Sequence, residues 1–219
     1  MQLADFHMRH KGETALVCGV GPNLTLTPPW LFDYPSFGVN TIYKAAWDWE
    51  PTYFVGVDER LRLDDGPAIC SRYADVPKFF PAPDWDALAG PNIYRFAHRQ
   101  GSNLYIGGRP ATAKESLLTW GITYYRIMDA VFQIAAWMGF TTILCIGFQH
   151  KPIEKYRELF WGVDEREQST GFEWEEIGYR ETSAMLPVRI LNISEDTHVP
   201  ENVLPRDDWR RWANVKETA

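Results

Sequence analysis

The sequence predicts an α/β fold: an open, doubly wound, mostly parallel sheet with an inserted lid segment. Three observations predict it. Six short runs are apolar on both faces, as strands are when helices cover a parallel sheet from each side. A segment of helical period leads through a Gly-Phe pair into one of these runs, which is the second half of a βαβ crossover. The first run ends in a glycine-rich exit, the usual place for a ligand-facing turn in such sheets.

The runs follow in order. Thr14 to Val20 reads Thr-Ala-Leu-Val-Cys-Gly-Val and continues into Gly-Pro. Phe37 to Tyr43, Thr52 to Val57 and the weaker Asn92 to Ala97 are the next three. Thr142 to Gly147 is a strong fifth and Val188 to Ile193 a sixth. Between the fourth and fifth runs, Ile127, Val131, Ile134, Ala135 and Met138 recur at helical spacing, so a helix is expected over Thr123 to Met138. Gly139 then supplies the residue that ends it. Shorter helices are expected around Tyr43 to Trp49 and Trp209 to Val215. Lys151 to Glu176 is charged, aromatic and weakly periodic, and residues 151–180 read as a lid inserted in a single domain spanning 1–219.

Composition bounds the function. A chain of 219 residues with 45% apolar and 23% charged residues can bury its own core. Its 22 basic and 29 acidic residues give a net charge of −7, which argues against a broad face for duplex nucleic acid. Cys18, Cys70 and Cys145 lack metal spacing, and two lie in apolar runs, so buried thiols and a reducing, cytoplasmic setting are expected. Met1 to Lys11 is polar, without the apolar core of a secretory signal, and no apolar run is long enough to span a bilayer. Ten Trp, ten Tyr and twelve Phe also suit a site that stacks a planar ring.

In open α/β sheets the ligand sits beyond the carboxyl ends of the strands. Candidates therefore come from the exits. Gly19, Gly21, Pro22 and Asn23 follow the first run; glycines there permit a tight turn or let backbone N–H groups approach a phosphate. The third glycine of the dinucleotide fingerprint is absent, as is the Gly-Lys-Ser/Thr of a P-loop. Asn40 is a polar residue in an apolar run, able to brace a loop or to read a ribose or base. Asp58 can accept from a ribose, hold a metal or cap a turn. Asp64 and Asp65 read as a solvated loop. Thr119 to Gly121 precedes the long helix, where free N–H groups meet anions; an ordinary N-cap by Thr119 or Thr123 is the alternative. Arg109 lies in a Gly-Gly-Arg-Pro loop. Gln149, His150 and Ser194 follow the fifth and sixth runs, and His150 is placed as a general base or phosphate ligand, with a purely structural histidine as the alternative. His198 is a weaker candidate, and His7 and His10 read as tail residues. No zinc spacing and no Gly-x-Ser-x-Gly elbow occurs.

These pieces form a pattern. Leu-Val-Cys-Gly-Val-Gly-Pro-Asn-Leu24 resembles the Gly-x-Gly-Pro-Ser-Leu opening of bacterial lipo-oligosaccharide sialyltransferases, glycosyltransferase family 42. It also resembles a wider group of Rossmann-like proteins that includes archaeal 6-hydroxymethyl-dihydropterin diphosphokinases. Phe-Gly-Val-Asn40, Pro51 to Asp58, and Ala135 to Phe148 add to the likeness, which covers 14–60 and 119–150 with an echo at 187–198. The resemblance implies that Gly19, Gly21, Pro22, Asn23, Asn40 and the turn from Thr119 to Gly121 hold a nucleotide. Three positions depart from the pattern: Asn23 replaces a serine, Gln149 replaces an aspartate, and Tyr179 stands where the sialyltransferases have a lid histidine.

On this basis the leading expectation is a transferase using a nucleotide-activated donor, a CMP- or UDP-type sugar nucleotide, with no metal required. His150 or Tyr179 would deprotonate an acceptor hydroxyl, and Arg109 or Arg180 would stabilise the leaving phosphate. The acceptor would be a glycan, a small molecule or a modified nucleobase, and assembly into a homo-oligomer is compatible with it. Two other readings stand beside it. One is Mg-ATP-dependent pyrophosphoryl transfer to a pterin-like alcohol, with Asp58, Glu59 and Asp64 as metal ligands. The other is a non-catalytic nucleotide-binding protein on the same scaffold.

Overall fold

The computed structural model describes residues 2–58, 61–82, 88–100, 105–106, 109–110, 122–124, 126–150, 156–168 and 173–214. Seven parallel strands form the sheet: β1 (Thr14–Cys18), β2 (Ser36–Val39), β3 (Tyr53–Val55), β4 (Lys78–Ala82), β5 (Ile93–Gln100), β9 (Thr142–Ile146) and β12 (Arg189–Asn192). Short β8 (Ile122–Tyr124) extends one edge, also parallel, and the order is β12-β9-β1-β2-β3-β4-β5-β8. Two small antiparallel pairs lie apart from it: β6 (Tyr105–Ile106) with β7 (Arg109–Pro110), and β10 (Tyr156–Leu159) with β11 (Gly162–Gln168). The helices are α1 (Gly66–Arg72), α2 (Ile127–Trp137) and α3 (Glu173–Met185). This is an α/β parallel-sheet fold of Rossmann-like arrangement.

The strands form where the apolar runs lie, because both faces are covered: Leu16, Val17, Cys18, Phe37, Val39, Phe54, Val55, Ile143, Leu144 and Cys145 are all buried. The chain lays down β1 to β5 and β8 in one direction. It then returns through α2 to place β9 on the other side of β1, paired Thr14 to Thr142 through Cys18 to Ile146. The strand order therefore reverses between β1 and β9, the place where open α/β sheets bind ligands beyond the carboxyl ends of their strands.

Several elements differ from expectation. The second run stops at Val39, and Asn40–Lys44 is a 3-10 turn rather than strand. β4 was not anticipated, because Pro81 interrupts its apolar run. It is tolerated there because β3 pairs with β4 only as far as Phe79, so no β3 carbonyl waits for the N–H that Pro81 lacks. The long helix starts at Ile127: Thr123 belongs to β8, and the cap is Arg126, whose backbone N–H donates to Asp129. Trp209–Arg211 is a single 3-10 turn. Asp64 and Asp65 end a π-helical turn (Leu61–Asp65) that leads into α1, and Asp65 lies 3.8 Å from Lys44. The expected lid is a β-hairpin followed by α3, and α3 runs past residue 180 and packs on α2 as part of the fold. Among the described residues no helix is long and apolar enough to cross a membrane.

Candidate functional site

The β1 and β9 exits meet at three glycines. The N–H of Gly19 donates to the Ile146 carbonyl (2.8 Å) and that of Gly21 to the Gly147 carbonyl (2.9 Å). A Cβ on Gly19 would lie 2.7 Å from the Gly147 oxygen, one on Gly21 2.6 Å from the same atom, and one on Gly147 2.7 Å from the Gly19 oxygen. The two strand exits thus pack backbone against backbone. Both amides already donate, one to the last carbonyl of β9 and one to that of Gly147 beyond it, and the glycines serve the close approach of the exits.

Pro22 opens a 3-10 turn (Pro22–Thr25), where its missing N–H is no loss. Asn23, 1% exposed, donates from Nδ2 to the Glu195 carbonyl at 2.6 Å and to that of Asp196 at 3.4 Å. It ties the β1 exit to the β12 exit, while its Oδ1 is buried without a hydrogen-bond partner among the described residues. The Asn40 Oδ1 is in the same situation, on a residue held at φ 46°.

At the β9 exit, Gln149 Nε2 donates to Asp196 Oδ2 (2.9 Å), and the Gln149 carbonyl accepts from the N–H of exposed His198 (2.8 Å). His150 has φ 50° and is partly exposed. Its Nε2 lies 3.0 Å from the Tyr179 hydroxyl. The two residues offered as alternative bases are therefore one hydrogen-bonded pair. Tyr179 is 1% exposed and packs beside Phe132 and Phe148, whose ring centroids lie 6.1 and 6.0 Å away. Its burial makes it a support for the histidine ring rather than a group open to substrate. Gly178 lies at this contact: a Cβ at that position would meet Asp129 Oδ2 at 2.5 Å, so a larger residue would have to push the Asp129 carboxylate aside where α3 lies on α2. A glycine inside an otherwise regular helix was the signal for this contact.

The hairpin covers the β1 and β2 exits. The Phe160 N–H donates to the Val20 carbonyl (3.1 Å), and Trp161 Nε1 to Thr41 Oγ1 (3.1 Å). Lys44 sits 4.6 Å over the Trp161 ring, and Phe160 packs on Trp47 at 5.0 Å. Trp47 in turn meets half-exposed Trp30 edge-on.

Other candidates fall elsewhere. Arg180 is exposed on α3 and is held by Glu176 (2.6 Å). Asp58 follows β3, partly exposed and already engaged. Arg109 lies in β7, and Thr119, Gly121, Glu59 and Arg60 lie outside the described residues. Ser194 staples β12 to β9: it accepts from the Phe148 N–H (3.0 Å) and donates to the Cys145 carbonyl (3.3 Å). Buried Asn192 and half-buried Thr197, not anticipated, extend that staple to the Phe148 carbonyl. His10 is no tail residue. It bridges Tyr53 (2.6 Å) and Glu13 (3.0 Å) and stacks on Phe140, at the amino ends of the strands. Cys18 and Cys145 are buried, and burial pushes both thiols above their ordinary range.

Fold and exits together define an α/β parallel-sheet protein with hydrogen-bonded polar residues gathered at its β1/β9 switch point. No family model matches the chain, and neither a curated protein nor a solved structure matches it.

Proposed function

We propose that this protein is a transferase that takes a nucleotide-activated donor, a CMP- or UDP-type sugar nucleotide, and moves the sugar to an acceptor hydroxyl. The observation that carries the reading is His150 at the β9 exit, beside the switch point, with its ring held through Nε2 by buried Tyr179. With the proton on Nε2 donated to the tyrosine oxygen, Nδ1 keeps its lone pair and serves as the base. It takes the acceptor's proton as the oxygen bonds to the anomeric carbon, and the bond to the nucleotide phosphate breaks with its electron pair on the phosphate. The hairpin tip at Phe160 and Trp161 would keep water from the donor.

A thermal-shift series with CMP, UDP, GDP and ATP, each with and without Mg²⁺, tests this. A ligand at a hundred times its dissociation constant adds roughly 2.7 kcal/mol, several degrees for a chain of this size. Metal-independent stabilisation by CMP or UDP is expected. Stabilisation by Mg-ATP alone, or by none of the four, would overturn the proposal.

A further inference from the structure

We infer that Trp30 and Trp47 form a stacking platform for a neutral sugar ring, and that the acceptor of the reaction above is accordingly a neutral glycan. The word acceptor rests on the transferase reading, while the platform stands on residues that reading does not use.

The rings are exposed and held. Among the described residues Trp30 is the most exposed Trp, Tyr or Phe, at 53%. Its backbone is fixed: Pro28 and Pro29 precede it, Pro29–Leu31 is a 3-10 turn, and the Leu31 carbonyl accepts from the Asn214 N–H at 2.9 Å. Trp47 is half-buried, and its carbonyl accepts from Arg72 at 2.7 Å. The Trp47 ring meets Trp30 at 85° and Phe160 at 31°, each with centroids 5.0 Å apart. Rings fixed before binding lose little entropy when a ligand arrives.

The polar tips of these two indoles are unspent. Trp161, Trp209 and Trp212 donate their N–H groups to Thr41, Glu195 and Asp207. Those of Trp30 and Trp47 have no acceptor among the described residues. A ligand for such a surface brings an apolar face for the rings and oxygen atoms for the donors. A sugar ring carries both, with C–H groups on its faces and hydroxyls round its rim. A purely apolar protein patch would cover the rings and leave the indole donors unmet.

Charge decides for a neutral ligand. Asp33, Asp48 and Glu50 are exposed on the two segments that carry the indoles. The cations beside them are engaged: Lys44 lies over the Trp161 ring and 3.8 Å from Asp65, and Arg72 holds the Trp47 carbonyl. A nucleotide phosphate or an anionic lipid surface would meet carboxylates here and cations already taken. The platform is also continuous with the ligand end of the sheet. Phe160, which packs on Trp47, donates its N–H to the Val20 carbonyl just beyond β1.

NMR of the indole N–H signals tests the platform, with methyl glycosides of glucose, galactose, mannose and N-acetylglucosamine as probes at concentrations on the order of 50 mM. At least one glycoside should move the Trp30 and Trp47 signals and leave those of Trp161, Trp209 and Trp212 in place. Trp30→Ala should weaken that binding roughly fivefold or more, and Trp30→Tyr, which keeps a ring and a donor, should restore most of it. Trp47→Phe keeps the ring without the donor and should weaken binding about threefold. Silence with every glycoside, undiminished binding in Trp30→Ala, or a response of these two signals to CMP, UDP or phosphatidylglycerol vesicles instead overturns the platform and leaves the nucleotide reading standing. Glycoside binding at these indoles in a protein that no nucleotide stabilises supports the platform and overturns the transferase reading.

Discussion

Gly147→Ala tests whether the β1 and β9 exits are held together by backbone packing. Two separate costs meet at this residue. Its φ of 73° lies in the left-handed region, where an alanine costs about 1–2 kcal/mol. Its new Cβ would also stand 2.7 Å from the Gly19 oxygen and 2.9 Å from the Gly19 carbonyl carbon, an overpacking of about 1–3 kcal/mol. Two other glycines isolate these parts. Gly12 has φ 86° and nothing within 4 Å of a Cβ, so Gly12→Ala carries only the backbone cost. Gly19 lacks a positive φ but would meet the Gly147 oxygen at 2.7 Å, so Gly19→Ala carries only the steric one. Each alanine also stiffens the unfolded chain by roughly 0.4–1 kcal/mol, which cancels in the comparison. The net losses expected are about 1 kcal/mol or less for Gly12→Ala, about 1–2 for Gly19→Ala and about 2–4 for Gly147→Ala. Urea unfolding of the three variants measures them, and in melting temperature Gly147→Ala should fall on the order of 10 °C. A Gly147→Ala loss no larger than that of Gly12→Ala would refute the argument, since the exits could not then be in contact.

Three further outcomes are expected. Tyr179→Phe keeps the ring among Phe132 and Phe148 but removes the partner of His150 Nε2, at about 1 kcal/mol of stability. Imidazole nitrogen shifts of His150 should report a changed tautomer balance, and unchanged shifts would show that the hydroxyl does not hold the ring. The Glu195 carboxyl is held below its ordinary value of 4.5, first by the Trp209 indole N–H and then by the Arg210 guanidinium. Its contribution is therefore complete above the unfolded value and is lost as pH falls through the folded one. Glu195→Gln should lower stability at neutral pH and flatten the acid limb of the melting curve, and an unaltered limb would count against the pairing. A disulfide reagent should reach Cys70 in the native protein but not Cys18 or Cys145, and all three thiols in urea; rapid native reaction of three would contradict the burial.

Legibility of the fold followed local signal. Thr14 to Cys18 and Thr142 to Ile146 are continuous apolar runs, and an apolar run can be stable only where both faces are covered, so their strands and parallel pairing follow. β4 was hidden because Pro81 is ordinarily a strand breaker; the short reach of β3 that makes it harmless is a fact of pairing, not of the run itself. α3 was hidden because its sequence, Glu-Trp-Glu-Glu-Ile-Gly-Tyr-Arg, has a weak apolar stripe and a central glycine. Its stability comes from lying on α2, where the glycine leaves room for the Asp129 carboxylate.

The sequence by itself determined the class of the sheet, its glycine-rich exit and the short catalogue of polar residues that follow strands. These depend on composition and period within ten residues or so, which the chain carries locally. Only the tertiary structure decided which of those residues meet. It joined His150 to Tyr179 across 29 positions and Asn23 to Glu195 across 172, and it held Arg180 on Glu176 at the outer surface. Strand order is the reason. The return of the chain through α2 sets β9 against β1, and no local pattern encodes on which side of β1 a later strand will land.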